Sequence, residues 1–272
     1  MSTAGAHEAS DGNGAAPGRR LAGKVCVVTG ATGMAADAAR RFAAEGAQVW
    51  VIDRDPGQCE ALGLPFAVAD LREEPAAEAA FATVRAACPR IDALYAVAGA
   101  SGRRIGDGPV HELSLAAWDG TLALNATPAF LAAREALRAM LGQEPGPSGT
   151  RGSLVLMSSV LAHSPTPALF TTHAYAAAKA ATIGLVRAMA AYYGEHGIRI
   201  NALAPALVRT PMSARAAADP PSMAFARRRQ PLTGGLLDPA DVTGAAVYLC
   251  SDESRAVTGQ VLTVDGGWTV TA

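Results

Sequence analysis

Seven short apolar runs punctuate the chain: KVCVVT (24–29), QVWVID (48–53), PFAVA (65–69), IDALYAVA (91–98), GSLVLMS (152–158), IRINALA (198–204) and QVLTVD (260–265). They are largely continuous in apolar residues, as strands buried on both faces require. Ala-rich stretches of helical character fill most of the intervals, at 33–45, 74–88, 114–142, 173–194 and 238–251. Strand alternating with helix predicts an α/β fold, a doubly wound parallel sheet of about seven strands with helices on both faces. The first twenty residues, MSTAGAHEASDGNGAAPGRR, are small and polar, and predict a flexible tail over 1–20 with order beginning near Leu21. EPGPSGTRG (144–152) predicts a surface loop. With no repeat and no internal linker, 21–272 is expected to be a single domain.

Composition narrows the function classes. Half of the 272 residues are hydrophobic and 17% are charged, enough for a large core. A net charge of -1 carries no basic footprint for nucleic acid. Cys26, Cys59, Cys88 and Cys250 are scattered, without a CxxC pair or Cys/His cluster, so neither a metal site nor a disulfide framework is expected. No apolar stretch reaches membrane-span length, and residues 1–20 lack the apolar segment of a secretory signal. The expectation is a cytoplasmic protein.

Candidate chemistry begins where the first strand runs into TGATGMAADAARRF. Gly30 and Gly33 fall at the passage from strand to helix. A dinucleotide needs a tight turn there, close backbone approach, and a helix N-terminus whose free N–H groups face its pyrophosphate. The second strand ends at Asp53, 20 residues after Gly33, the position for a carboxylate that binds ribose hydroxyls. These features make the predicted sheet Rossmann-like. Further along, AYAAAKAAT places Tyr175 four residues before Lys179, one of only two lysines among 23 Lys+Arg. Four residues apart on a helix is one face. An ammonium beside a phenol is expected to lower the pKa of Tyr175 from about 10 toward the working range of a general acid/base. Lysine is compact, so it can also donate to sugar hydroxyls while acting on the tyrosine.

With these pieces in place, residues 21–272 resemble the short-chain dehydrogenase/reductase family. VTGATGMA looks like its cofactor turn, VIDRD its ribose site and VADL the segment beside the adenine. YAVAGAS stands where the family has Asn-Asn-Ala-Gly. LALNAT, LVLMSSV and YAAAK carry its catalytic residues, and RINALAPALVRTPM and VTGQVLTVDGGW are similar to its closing segments. The resemblance implies catalytic roles for Asn125, Ser159, Tyr175 and Lys179, with Ser158 as the alternative serine. It implies a cofactor site of Gly30, Thr32, Gly33, Met34, Asp53, Arg54, Asp70, Leu71, Ala98, Gly99, Tyr175, Lys179, Pro205, Ala206, Val208 and Thr210, Thr210 alternatively being only a turn residue before Pro211. It places Asn125 on a kinked helix whose backbone anchors a water linked to Lys179. The chain departs from the family pattern at Ala35 or Ala36 in place of a third glycine, at Ala96-Val97-Ala98-Gly99, and at Pro205-Ala206. The Ser159-to-Tyr175 spacing is also longer than is common.

The function implied is an NAD(P)-dependent oxidoreductase that interconverts a secondary alcohol and a ketone, with NAD favoured over NADP because Asp53 would repel a 2′-phosphate. Arg54 argues the other way. The partners expected are a small-molecule substrate and further copies of the chain, as a tetramer or dimer with Trp268 an anchor in one interface, and neither nucleic acid nor membrane. Two alternatives share the fold: a binding or scaffold protein without turnover, and a nucleotide-sugar epimerase or dehydratase. The substrate pocket is expected from loops 100–110, 160–172 and 206–236. Arg103 and Arg104 are candidates to meet an anionic substrate. His163 and His173 are read as structural or solvated, and ARRRQ (226–230) as a solvated helix face.

Overall fold

The computed structural model of the chain describes residues 18–166 and 169–271. The first 17 residues of the expected tail lie outside them. Within them, Leu21 is buried, its N–H donating to Glu45 O at 3.1 Å, and Arg20 is paired with Glu253.

The strands are β1 (Val25–Thr29), β2 (Gln48–Asp53), β3 (Phe66–Val68), β4 (Ala93–Ala96), β5 (Gly152–Met157), β6 (Ile198–Pro205) and β7 (Val261–Val264). They form one parallel sheet in the order β3-β2-β1-β4-β5-β6-β7. The longer helices are α1 (Gly33–Ala44), α3 (Glu74–Ala87), α4 (Leu115–Leu141), α5 (His173–Tyr193), α7 (Pro220–Arg229) and α8 (Pro239–Cys250). Two short ones, α2 (Pro56–Glu60) and α6 (Ala214–Ala217), complete the set.

The two-residue period of the strands divides their side chains between two cores. Val27, Leu94, Leu154 and Leu156 pack with Phe81 of α3, Leu131 and Ala132 of α4, and Val186 of α5. Cys26, Val28, Tyr95 and Val155 pack on the other face with Phe42 of α1 and Val242 and Val247 of α8. Winding runs outward in both directions from β1 and β4, so the crevice at their carboxyl ends is the switch point at which such sheets bind ligands. Register levels that rim: Thr29 lies across from Ile52 and Ala96, and Ala96 across from Leu156.

Three helices depart from the sequence reading. α2 is a single capped turn, with Pro56 at its start and the Asp55 carboxylate accepting from Gln58 N, too short for a helical period. α6 and α7 fill the expected loop after β6. α7 carries Ala226 and Arg227–Arg229, but 226–230 is not a uniformly solvated face, because Ala226 and Gln230 are buried. Gln230 ties down the chain after β6: its Oε1 accepts from Leu207 N at 3.1 Å and its Nε2 donates to Leu207 O and Gly235 O. β4 is shorter than 91–98 because the N–H groups of Val97 and Ala98 leave the ladder for the Thr29 hydroxyl. No helix among the described residues is long and apolar enough to cross a membrane.

Candidate active site

The turn after β1 is built from backbone. Gly30 takes φ 98°, a conformation that a side chain disfavours. The buried Thr29 beside it accepts two hydrogen bonds, from Val97 N and Ala98 N at 3.1 Å each. This ties the turn to the end of β4. α1 starts at Gly33, capped by the Thr32 backbone without a side-chain bond and with no acidic residue in its first turn. Those N–H groups and the helix dipole suit a phosphate. Ala35 and Ala36 are buried, so the methyl groups at the family's third glycine position pack inward. Thr210 closes the turn from the far side: a Cβ on Gly33 would lie 3.0 Å from its Cγ2. Thr210 also begins the short 3₁₀ turn Pro211–Ser213, as its turn reading expects.

Asp53 ends β2 half-buried, with Oδ2 accepting from Ala31 N at 3.0 Å and Oδ1 from Asp55 N at 2.9 Å. The carboxylate is thereby fixed beside the glycine turn, and each oxygen keeps a second acceptor site. Arg54 next to it is exposed. Asp70 is not a free acceptor: both its oxygens pair with the Arg72 guanidinium, which holds the carboxyl below its ordinary range. Leu71, Pro205 and Val208 are buried, and Met34 and Ala206 half-buried, along the same rim.

The expected catalytic residues converge across β4, β5, α4 and α5. Asn125 is fully buried in α4, three residues before Pro128, a proline within the helix. Its Nδ2 donates to Ala100 O at 2.9 Å and Thr121 O at 3.0 Å, while Oδ1 has no partner among the described residues. Oδ1 faces Gly99: a Cβ there would sit 2.8 Å from Asn125 Oδ1 and 3.4 Å from Lys179 Nζ. Gly99 therefore keeps open the space where these two side chains meet. Lys179 is buried, with Nζ donating to Met157 O at 3.0 Å and lying 5.6 Å from the Tyr175 ring centroid. Ser158 spends its hydroxyl on Lys179 O at 2.9 Å. Ser159 is the serine whose hydroxyl lies beside the Tyr175 phenol.

The expected lowering of the Tyr175 pKa is overturned. Desolvation pushes the phenol up to about 12, with the Ser159 hydroxyl pulling the other way. The same desolvation brings the Lys179 ammonium down to about 8. Both groups are buried together, and withdrawal from water disfavours the charged form of each.

Side chains join the segments expected to shape a substrate pocket. Trp268, from the C-terminal segment, is buried within its own chain, which overturns its expected role as an inter-subunit anchor. Its Nε1 donates to Ser164 O at 3.2 Å, and its ring stands 6.1 Å from Phe170 and 5.3 Å from Phe225 between centroids. The Arg229 guanidinium lies 5.6 Å from its centroid. Arg103 donates from Nη2 to Leu169 O at 3.1 Å, joining the segment after β4 to the one after β5. Arg104 is exposed, as are His163 and His173, the latter accepting from Val110 N through Nδ1.

The residues present fit a dinucleotide. Gly30 lets the chain turn, the first turn of α1 is open to an anion, and Gly99 with the unpartnered Asn125 Oδ1 leaves a polar cradle beside Lys179. Sequence reasoning did not single out Thr29, Arg72 or Gln230. Thr29 had a signal, as a polar residue closing an apolar strand at the turn, whereas Gln230 acts on Leu207 with nothing local to mark it.

Comparison with known proteins places these features. A family model described as enoyl-(acyl carrier protein) reductase matches residues 28–269. The chain is 34% identical to short-chain dehydrogenase reductase 5 of Arabidopsis thaliana, over 93% of this chain and 97% of the relative. It is also 34% identical to D-threitol dehydrogenase of Mycolicibacterium smegmatis, over 92% and 95%. Among solved structures, a candidate NAD(P) dependent gluconate 5-dehydrogenase of Beutenbergia cavernae, with NADP bound at low occupancy, superposes with a TM-score of 0.81 at 33% identity, over 92% of this chain and 98% of that one. The ligand-free aldohexose dehydrogenase of Thermoplasma acidophilum gives a TM-score of 0.80 at 27% identity, over 93% and 96%.

Proposed function

The chain belongs to the short-chain dehydrogenase/reductase family of NAD(P)-dependent oxidoreductases, and from that premise we propose that it interconverts a secondary alcohol and a ketone, with Tyr175 as general acid/base. The observation that carries this reading is the convergence of Ser159, Tyr175, Lys179 and Asn125 beside the glycine turn. Relatives named for threitol and for a chlorinated cyclohexadiene diol support an alcohol substrate.

A bound nicotinamide would supply hydride exchange at its C4 carbon. The chain's own groups do the rest. Ser159 Oγ hydrogen-bonds the substrate oxygen and holds it beside the Tyr175 hydroxyl. Burial keeps that phenol protonated, the state in which it gives its proton to a developing alkoxide. In the alcohol-to-ketone direction the phenolate form takes the proton. Lys179 Nζ, anchored on Met157 O, has donors left for ribose hydroxyls. Asn125 Oδ1 offers an acceptor for a water in the space that Gly99 leaves open beside Lys179, and that water would carry the proton onward.

The preferred cofactor in this reading is NAD. Asp53 is fixed at the ribose position by Ala31 N and Asp55 N. A 2′-phosphate about 4 Å away would be repelled by roughly 4 kcal/mol at an effective dielectric near 20, before screening. The exposed Arg54 and the NADP-bound relative argue the other way, and kcat/KM with each cofactor decides between them. We also read the chain as a homo-oligomer, a tetramer or dimer, because α4 and α5 leave Leu115, Phe130, Leu141 and Tyr192 exposed. A monomer by light scattering at micromolar concentration contradicts that. The reaction itself is tested by following nicotinamide absorbance over a panel of secondary alcohols and ketones; no turnover with either cofactor on any of them would overturn it.

A further inference from the structure

We infer that Asp107 is a positioning residue for Tyr175, acting as a remote N-cap of α5; the inference rests on the proposed role of Tyr175. The first N–H groups of a helix have no carbonyl partner within it, and a capping side chain normally takes those of the second and third residues. In α5 these are Ala174 and Tyr175. Thr172, which precedes the helix, gives no side-chain bond. Both N–H groups donate instead to one carboxylate 67 and 68 residues upstream: Ala174 N to Asp107 Oδ1 and Tyr175 N to Asp107 Oδ2, each at 3.0 Å. Asp107 is 6% exposed. A buried carboxylate needs partners, and the positive end of a 21-residue helix supplies them.

The segment that carries Asp107 is itself fixed. Asp107 N donates to Gly102 O at 3.0 Å, and Gly102 sits where any side chain would collide with Thr121 of α4. Beyond Asp107, His173 N donates to Gly108 O at 3.4 Å and His173 Nδ1 accepts from Val110 N at 3.0 Å. Earlier in the same segment, Ala100 O accepts from Asn125. One stretch of chain, 99–110, thus holds two members of the catalytic set.

Lys179 has separate anchors, through Met157 O and through the Ser158 hydroxyl on its own carbonyl. Losing the cap therefore loosens the first turn of α5, where Tyr175 sits, and leaves Lys179 in place. That predicts a split between turnover and cofactor binding, which general destabilisation does not produce.

The test uses Asp107→Ala and Asp107→Asn in the full chain, reading kcat, the cofactor dissociation constant and amide hydrogen exchange over residues 172–180. Asp107→Ala is expected to lower kcat on the order of a hundredfold, the scale of a small misplacement of a reacting group, and Asp107→Asn about tenfold, since its NH2 replaces one of the two accepting oxygens and faces an N–H group with a donor. Cofactor affinity should stay unchanged, and exchange at Ala174 and Tyr175 should accelerate. Unchanged kcat in the variants, cofactor affinity falling in step with kcat, or unchanged exchange overturns the inference. If Asp107→Ala does not fold, the isosteric Asp107→Asn decides alone. A wild-type chain without turnover would sink the functional reading instead, while the exchange measurement still tests the cap.

Discussion

The glycine turn after β1 and the wall formed by the segments after β5, β6 and β7 are held by different physics. The turn is a matter of backbone. Gly30 adopts a left-handed conformation, α1 opens without a side-chain cap, and Thr29 and Asp53 fix the rim through backbone N–H groups. The wall is a matter of side chains far apart in sequence. Trp268, Phe170, Phe225 and Arg229 form one cluster, and Gln230 holds Leu207 and Gly235. A site made of backbone geometry can accept one constant ligand, whereas a wall of side chains can be recut for different substrates.

Substitutions at the junction of the two should have the largest effects. Lys179→Arg keeps the charge but not the compact reach to Met157 O, and should lower kcat/KM by about two orders of magnitude; a rate near wild type would show that any cation serves there. Gly99→Ala comes next. Its new methyl would lie 2.8 Å from Asn125 Oδ1, forcing that side chain or the Lys179 ammonium aside. Turnover should fall at least about tenfold with the melting temperature little changed, and an unaffected rate would remove Asn125 and Gly99 from the account.

In the wall, the expected readout is stability. Trp268→Ala should destabilise the fold by about 3–5 kcal/mol in denaturant titration and loosen substrate affinity more than cofactor affinity. Equal loosening of both would mean that the wall and the turn are not separable. Smaller again is a pH effect. Lys179 is brought down to about 8 in the fold from an ordinary 10.5, so between those values the unfolded chain holds more protons. Its burial therefore opposes folding below about pH 8, and the penalty is relieved as pH rises toward 10.5. Relative to Lys179→Met, wild type should gain on the order of 2 kcal/mol between pH 8 and 9.5. No difference between the two slopes would mean that the ammonium is better solvated than its surroundings imply.

The same contrast explains what the sequence made legible. All seven strands and five of the helices could be read because apolar runs and Ala-rich intervals are local signals, and the glycine turn and the Tyr175/Lys179 spacing are local too. α6 escaped because it is a single turn, and the inward face of 226–230 escaped because three consecutive arginines look solvated until Arg229 is seen near the Trp268 ring. Trp268 itself was misplaced into an interface because its partners, Ser164, Phe170 and Phe225, lie about a hundred residues or fewer upstream with no periodic link. The protonation of Tyr175 was misjudged for a related reason: spacing reveals an adjacent ammonium but not how far both groups are withdrawn from water.

The central claim is that the Tyr175 hydroxyl moves the proton while other groups bind the cofactor. It is tested most directly by Tyr175→Phe, with kcat measured on an alcohol or ketone that wild type turns over and cofactor affinity measured by titration on the same preparation. In that variant kcat should fall by at least about two to four orders of magnitude, the usual worth of a positioned acid/base, while the cofactor dissociation constant stays close to wild type. A Tyr175→Phe protein that keeps substantial turnover, with the cofactor bound as before, would contradict that claim.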